Sequence, residues 1–124
     1  MKVSIEELSM VQIITKEAKV AELTREFGKF GITGMTIFDA KGCGVQLGTQ
    51  EYELDKNTMP QLLTKQVVEV VLPSREVDSF LDFVEKELYT GHIGDGKIFV
   101  IPVTNAIRVR TGEEGTDALK EGNL

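Results

Sequence analysis

The chain has 124 residues, with 20 acidic against 14 basic side chains and a formal net charge of −6. At this length roughly two-thirds of the unfolded surface is buried on folding, which suits one compact domain and argues against a two-domain enzyme. Hydrophobic residues at 41% and charged residues at 27% exclude a disordered, collagen-like or coiled-coil chain. The acidic balance excludes a sequence-independent grip on nucleic-acid phosphates.

The N-terminus, MKVSIEELSM, carries charges where a signal core would be apolar. No run approaches the roughly eighteen apolar residues of a membrane span, so a cytoplasmic location is expected. Leu8–Thr15 is apolar and rich in β-branched side chains and reads as a buried strand. Over 17–27, Val20, Leu23 and Phe27 recur at helical spacing, with Gly28 or Gly31 available to end the helix. Residues 34–40 read as a second strand. Cys43, the one cysteine, has no disulfide or zinc partner and no adjacent base, and reads as a packing residue in a reducing compartment. Residues 66–72 form a third strand, and Ser74 is a candidate N-cap for a helix carrying Val77, Phe80, Leu81, Val84 and Leu88. Lys97–Val103 gives a fourth strand, with Pro102 near a sheet edge, and 106–110 a short fifth. Residues 112–124 read as a flexible tail.

Strand, helix, strand, strand, helix, strand is the split arrangement of an α+β, ferredoxin-like (βαββαβ) fold, an antiparallel sheet with two helices on one face. Ile13, Val68, Val70, Ile98 and Val100 suggest that both sheet faces are apolar, so the open face is expected to be covered by another copy. The connection over 41–65 is anomalous, because hairpin loops normally use about two to five residues. Its glycines and polar residues suit a mobile excursion that orders on a ligand or partner.

Three patterns carry candidate chemistry. Residues 91–97 (GHIGDGK) match a P-loop up to the lysine, but Ile98 replaces the Mg²⁺-binding hydroxyl and a strand follows instead of a helix. Gly94, Asp95 and Gly96 could still present amides to an anion beside Lys97, against the alternative of an ordinary glycine turn. Arg108 and Arg110, two apart in an expected strand, would project from one face about 6 to 7 Å apart, a spacing that suits a polyphosphate; the alternative is pairing with Glu113 and Glu114. Gly42, Gly44 and Gly48 form a poor dinucleotide fingerprint and serve equally as a loop hinge. His92 has no partner by spacing and reads as an exposed loop residue. A small phosphotransferase or nucleotide hydrolase using Asp95 and Lys97 lacks a nameable base and nucleophile, so the chain is not expected to be an enzyme.

On GITGMT at 31–36, KGCG at 41–44, TGHIGDGKIFV at 90–100 and AIRVRTGEEGTDAL at 106–119, the chain resembles the PII signal-transduction proteins. The match spans nearly the whole sequence after an extension at 1–7. The resemblance implies a homotrimer with adenine nucleotide, ATP or ADP, in the clefts between subunits. Ile14, Thr36 and Val71 would meet the base, with Gly34 and Met35 also in the nucleotide site. Gly44, Gly94, Asp95, Gly96 and Lys97 would meet the phosphates, with Arg108 and Arg110 reaching them from across an interface and Gly42, Val45 and Gln46 also in the nucleotide site. The connection at 42–65 would be the family's T-loop, which engages a target such as a membrane transporter or metabolic enzyme in nitrogen metabolism or transport.

The same resemblance implies Mg²⁺ at Gln46 and 2-oxoglutarate at Gln46 and Lys65. The departures concentrate in the loop: Thr58 stands where the family's uridylylated tyrosine belongs and Lys56 at a serine that some members phosphorylate. Val45 and Leu47 replace basic residues flanking the glutamine, and each lost charge-assisted contact is worth about 1.5–3 kcal/mol. An alternative reading follows: an ADP/ATP energy-state sensor that does not respond to 2-oxoglutarate and controls a non-ammonium transporter. A structural trimer that has lost ligand binding is disfavoured by the retained Lys97, Arg108 and Arg110.

Overall fold

The computed structural model describes residues 6–42 and 62–120. Four strands, β1 (Leu8–Thr15), β2 (Thr36–Gly42), β3 (Leu63–Pro73) and β4 (Lys97–Val103), form one antiparallel sheet in the order β2-β3-β1-β4. Helices α1 (Glu17–Arg25) and α2 (Val77–Leu88) cover one face, and a short α3 (Thr116–Leu119) follows β4. This is the ferredoxin-like arrangement expected from the order of elements.

The register shows which strand residues share a face, since directly opposed residues point the same way. Val11 lies opposite Val70 and Val100, and Ile13 opposite Val68 and Ile98. Val11, Ile13, Val68, Val70 and Leu72 meet Val20, Leu23, Phe27, Val77, Phe80, Val84 and Leu88 in the core. Phe27, Phe30, Phe80 and Phe83 form a ring cluster, with Phe27 and Phe30 edge-on to Phe80 at centroid distances of 5.1 and 5.3 Å.

The residues that suggested two apolar faces in the sequence therefore all share one face, the side on which the helices pack. The open face is apolar through a different set. Met10 opposes Val71 and Ile101, Ile14 opposes Val67, and Gln12 opposes Phe99. Phe99 and Ile101 are exposed in the protomer, as is Phe38 opposite Val67.

Other expectations shift at their ends. The first helix stops at Arg25 and passes through a 3-10 turn, Phe27–Phe30, closed by Gly31 at φ +72°. β2 starts at Thr36 rather than at 34, and its ladder extends through Lys41 opposite Thr64 and Gly42 opposite Leu63, both inside the connection assigned to loop. Ser74 is not an N-cap: it opens a 3-10 turn, Ser74–Glu76, and its hydroxyl pairs with that of Ser9 at 2.6 Å. The fifth strand does not form, because the only bridge there is Ile107 with Glu114 among the described residues. Within 112–120, Gly115 is buried and α3 lies against β3.

Candidate functional site

The turn between α2 and β4 is built by its own side chains. Gly91, Gly94 and Gly96 take φ of +81°, +98° and +121°. The Asp95 carboxylate accepts from the Thr90 amide at 2.7 Å, the Gly91 amide at 3.1 Å and the Thr90 hydroxyl. The bond from the Thr90 hydroxyl, then that from its amide, holds the Asp95 carboxyl below the usual carboxylate range. The buried Thr15 hydroxyl donates to the Asp95 carbonyl at 3.0 Å and ties the turn to the end of β1. Asp95 is thus the turn's organiser, and its carboxylate is spent inside the turn instead of serving as a catalytic acid.

Because the folded pKa is depressed, the Asp95 contribution to stability is complete above the unfolded value of about 4 and is lost as pH falls through the folded value. Asp95→Asn is expected to flatten the acid limb of a denaturation-midpoint profile. An unchanged acid limb would show that the carboxylate does not stabilise the turn.

Cations gather at this turn. Ile14 lies opposite Lys97 across β1 and β4. A Cβ built on Gly94 would stand 3.5 Å from the Lys16 ammonium and 3.9 Å from that of Lys65, and one on Gly42 would stand 3.3 Å from Lys65 Cγ. Gly42, Lys65, Gly94 and Lys16 therefore meet at one corner, with Lys97 beside it. In a chain of net charge −6 this corner is a local concentration of positive charge.

A second group surrounds a cavity of about 390 Å³ whose walls include Gly34, Met35, Thr36, Val71, Glu69 and Leu119. Met10, opposite Val71, and Ile14, opposite Lys97, are four steps apart on β1, about 13 Å along the sheet, and the cavity walls Thr36 and Glu69 lie between them at the register of Gln12. A larger cavity of about 540 Å³ lies behind the turn, bounded by Leu88, Tyr89, Gly96 and Ile98. It holds none of the expected base-contacting residues.

Arg108 and Arg110 are not side by side on a strand. The Arg108 guanidinium donates to Glu113 at 3.1 Å and to the carbonyls of Ala118 at 3.2 Å and Lys120, while Arg110 lies in the following turn. Pairing of Arg108 with Glu113 is the alternative that the spacing alone left open. Glu114 instead accepts from Asn105.

One protomer thus brings Gly34, Met35, Thr36 and Val71 together at the cavity, and Ile14, Gly42, Lys65, Gly94, Gly96 and Lys97 at the corner. Gly44, Val45 and Gln46 lie outside the described residues, as does the Mg²⁺ position assigned to Gln46. Among the described residues no cluster of His, Cys, Asp and Glu could hold a metal. Sequence reasoning missed Thr15, Lys16, Glu69 and Leu119. Thr15 and Lys16 carried a signal, a hydroxyl and a cation closing an apolar strand, while Leu119 carried none.

Residues 8–113 match the family model described as "Nitrogen regulatory protein P-II". The chain belongs to the P-II family. It is 37% identical to nitrogen regulatory protein P-II of Azospirillum brasilense over 112 residues, covering 90% of this chain and all of the relative. It is 38% identical to nitrogen regulatory protein P-II 1 of Escherichia coli K12 over the same shares. A solved Bacillus subtilis GlnK–ATP complex superposes with a TM-score of 0.77 at 34% identity, covering 91% of this chain and 98% of that one. Arabidopsis thaliana PII bound to citrate superposes at 0.72, with 32% identity over 91% and 92% of the two chains. P-II proteins are nitrogen regulatory signalling proteins rather than enzymes, and a trimer and a T-loop are typical of them. Among the described residues no helix is long and apolar enough to cross a membrane.

Proposed function

We propose that this P-II protein binds adenine nucleotide in the clefts of a homotrimer and reports occupancy to a partner protein through the connection between β2 and β3. The observation that carries the reading is the convergence of Lys16 and Lys65 on Gly94 beside Lys97. An acidic chain that gathers ammonium groups around a glycine turn has an anionic ligand for them. The GlnK–ATP complex and citrate-bound PII support polyphosphate and carboxylate ligands in proteins of this shape. The open apolar face supports self-association. Signalling requires that nucleotide bind two arrangements of the loop with different affinities.

Isothermal titration with ADP, ATP and Mg-ATP, each with and without 2-oxoglutarate, tests the reading, with sedimentation to count the chains. Binding with a three-chain mass is expected, and the absence of any nucleotide heat would sink the proposal. Replacement of basic residues by Val45 and Leu47 favours a second reading, an energy-state sensor indifferent to 2-oxoglutarate and directed at a different transporter. ATP affinity strengthened by 2-oxoglutarate would reject that second reading. Arg108→Ala is expected to weaken ADP at least tenfold, about 1.4 kcal/mol, with the trimer intact, as loss of a charge-assisted contact requires. Parental affinity in that variant would remove Arg108 from the site.

A further inference from the structure

Arg108 has a property that its place beside a ligand does not explain: its own chain already holds it. Nη1 donates to the Glu113 carboxylate at 3.1 Å, and Nη2 donates to the carbonyls of Ala118 at 3.2 Å and Lys120. A guanidinium can grip a phosphate bidentately along two edges, Nη1 with Nη2 or Nε with Nη2, and both edges use Nη2. Nη2 thus donates to a carbonyl inside α3, that of Ala118, and to one just after it, that of Lys120. A phosphate therefore gains the bidentate grip only by displacing one of them.

Among the described residues, the segment that carries those carbonyls is otherwise held by its packing against β3 and by one side-chain hydrogen bond. The Leu119 carbonyl accepts from the Thr33 hydroxyl at 2.9 Å, and Ala118 and Leu119 wall the 390 Å³ cavity opposite Met35 and Val71. None of the four residues of α3 is buried. A short helix so held detaches when its principal hydrogen-bond donor is withdrawn.

We infer that α3 is a phosphate-released strap: Arg108 clasps either the carbonyls of residues 118 and 120 or the ligand's phosphates, so phosphate binding and strap docking oppose each other. This rests on the proposed nucleotide site. The coupling is reciprocal, so a docked strap lowers nucleotide affinity and bound nucleotide frees the C-terminal segment, a second signal besides the β2–β3 connection.

The test is hydrogen exchange of the full-length protein at the Ala118 and Lys120 amides, which donate to the Gly115 and Asp117 carbonyls. It is run alone and with saturating ADP, adenosine or inorganic pyrophosphate, with titration heats alongside. ADP and pyrophosphate are expected to speed exchange about tenfold and adenosine, which has no phosphate, to leave it unchanged. Nucleotide binding with unchanged or slower exchange overturns the strap and leaves the nucleotide site standing, and acceleration by adenosine also overturns it. Acceleration by pyrophosphate without ADP binding keeps the strap and rejects the nucleotide reading; binding of neither rejects both. Glu113→Gln weakens the clasp at Nη1 and is expected to tighten ADP about threefold. Unchanged or weaker ADP binding in that variant overturns the strap.

Discussion

Gly96→Ala is expected to destabilise the protein by about 2 kcal/mol or more and to abolish measurable nucleotide binding. Gly96 sits at φ +121°, where an L side chain is strained, and such a conformation costs about 1–3 kcal/mol for a residue other than glycine. A Cβ there would also fall 2.3 Å from the Ile14 carbonyl oxygen and 3.3 Å from Thr15 Cα. Both are main-chain atoms of β1, so the contact cannot be relieved by turning a side chain. The turn must move away from the strand, which breaks the Thr15–Asp95 bond and carries Gly94 from the Lys16 and Lys65 ammonium groups. Gly28→Ala is the matched comparison: no atom lies within 4 Å of its Cβ position and its φ is not positive. Urea unfolding and ADP titration of both variants read the result. If Gly96→Ala is as stable as Gly28→Ala and binds ADP like the parent, the close approach of turn to strand has no role.

Phe80→Ala is expected to cost about 3–5 kcal/mol, the range for removing a fully buried phenylalanine. Phe80 is 0% exposed and stands between α1, the turn after it and the sheet. Its ring packs edge-on against Phe27 and Phe30 and lies 6.5 Å from Phe83. Such pairs add about 0.5–1.5 kcal/mol beyond the area they bury. A domain stable by about 5–15 kcal/mol loses a large part of its margin with this one substitution. Chemical denaturation at fixed protomer concentration measures it, since self-association adds to apparent stability. A loss below about 1 kcal/mol would mean that the core collapses around the site and that the ring cluster is not the centre of packing.

Legibility followed the range of the interactions. β1 and β4 appear with the bounds read from the chain, because their residue types and flanking turn residues agree with their tertiary role. The pattern over α2 was equally clear, and only its start moved, because Ser74 found Ser9 across the sheet instead of capping the helix. The expected fifth strand failed for a comparable reason. Alternating Ile107, Arg108, Val109 and Arg110 has the period of a strand, but Arg108 is drawn to Glu113 and the carbonyls of residues 118 and 120, and the chain turns. Spacing could show that two arginines were close, yet not whether an anion or their own chain held them.

Composition, period and glycine placement were sufficient for an acidic ferredoxin-like fold, and the motifs at 31–36, 90–100 and 106–119 were sufficient for its family. These features are local, and neighbours within a few residues carry them. Only the tertiary structure decided which apolar residues stay uncovered, that Lys16 and Lys65 meet at Gly94, that Asp95 serves its own turn, and that α3 closes one wall of a cavity. Each depends on chain segments meeting across long separations, such as Thr15 with Asp95 and Thr33 with Leu119, 80 and 86 residues apart. Strand register sets those meetings, and a shift of one residue would send every side chain of a strand to the opposite face.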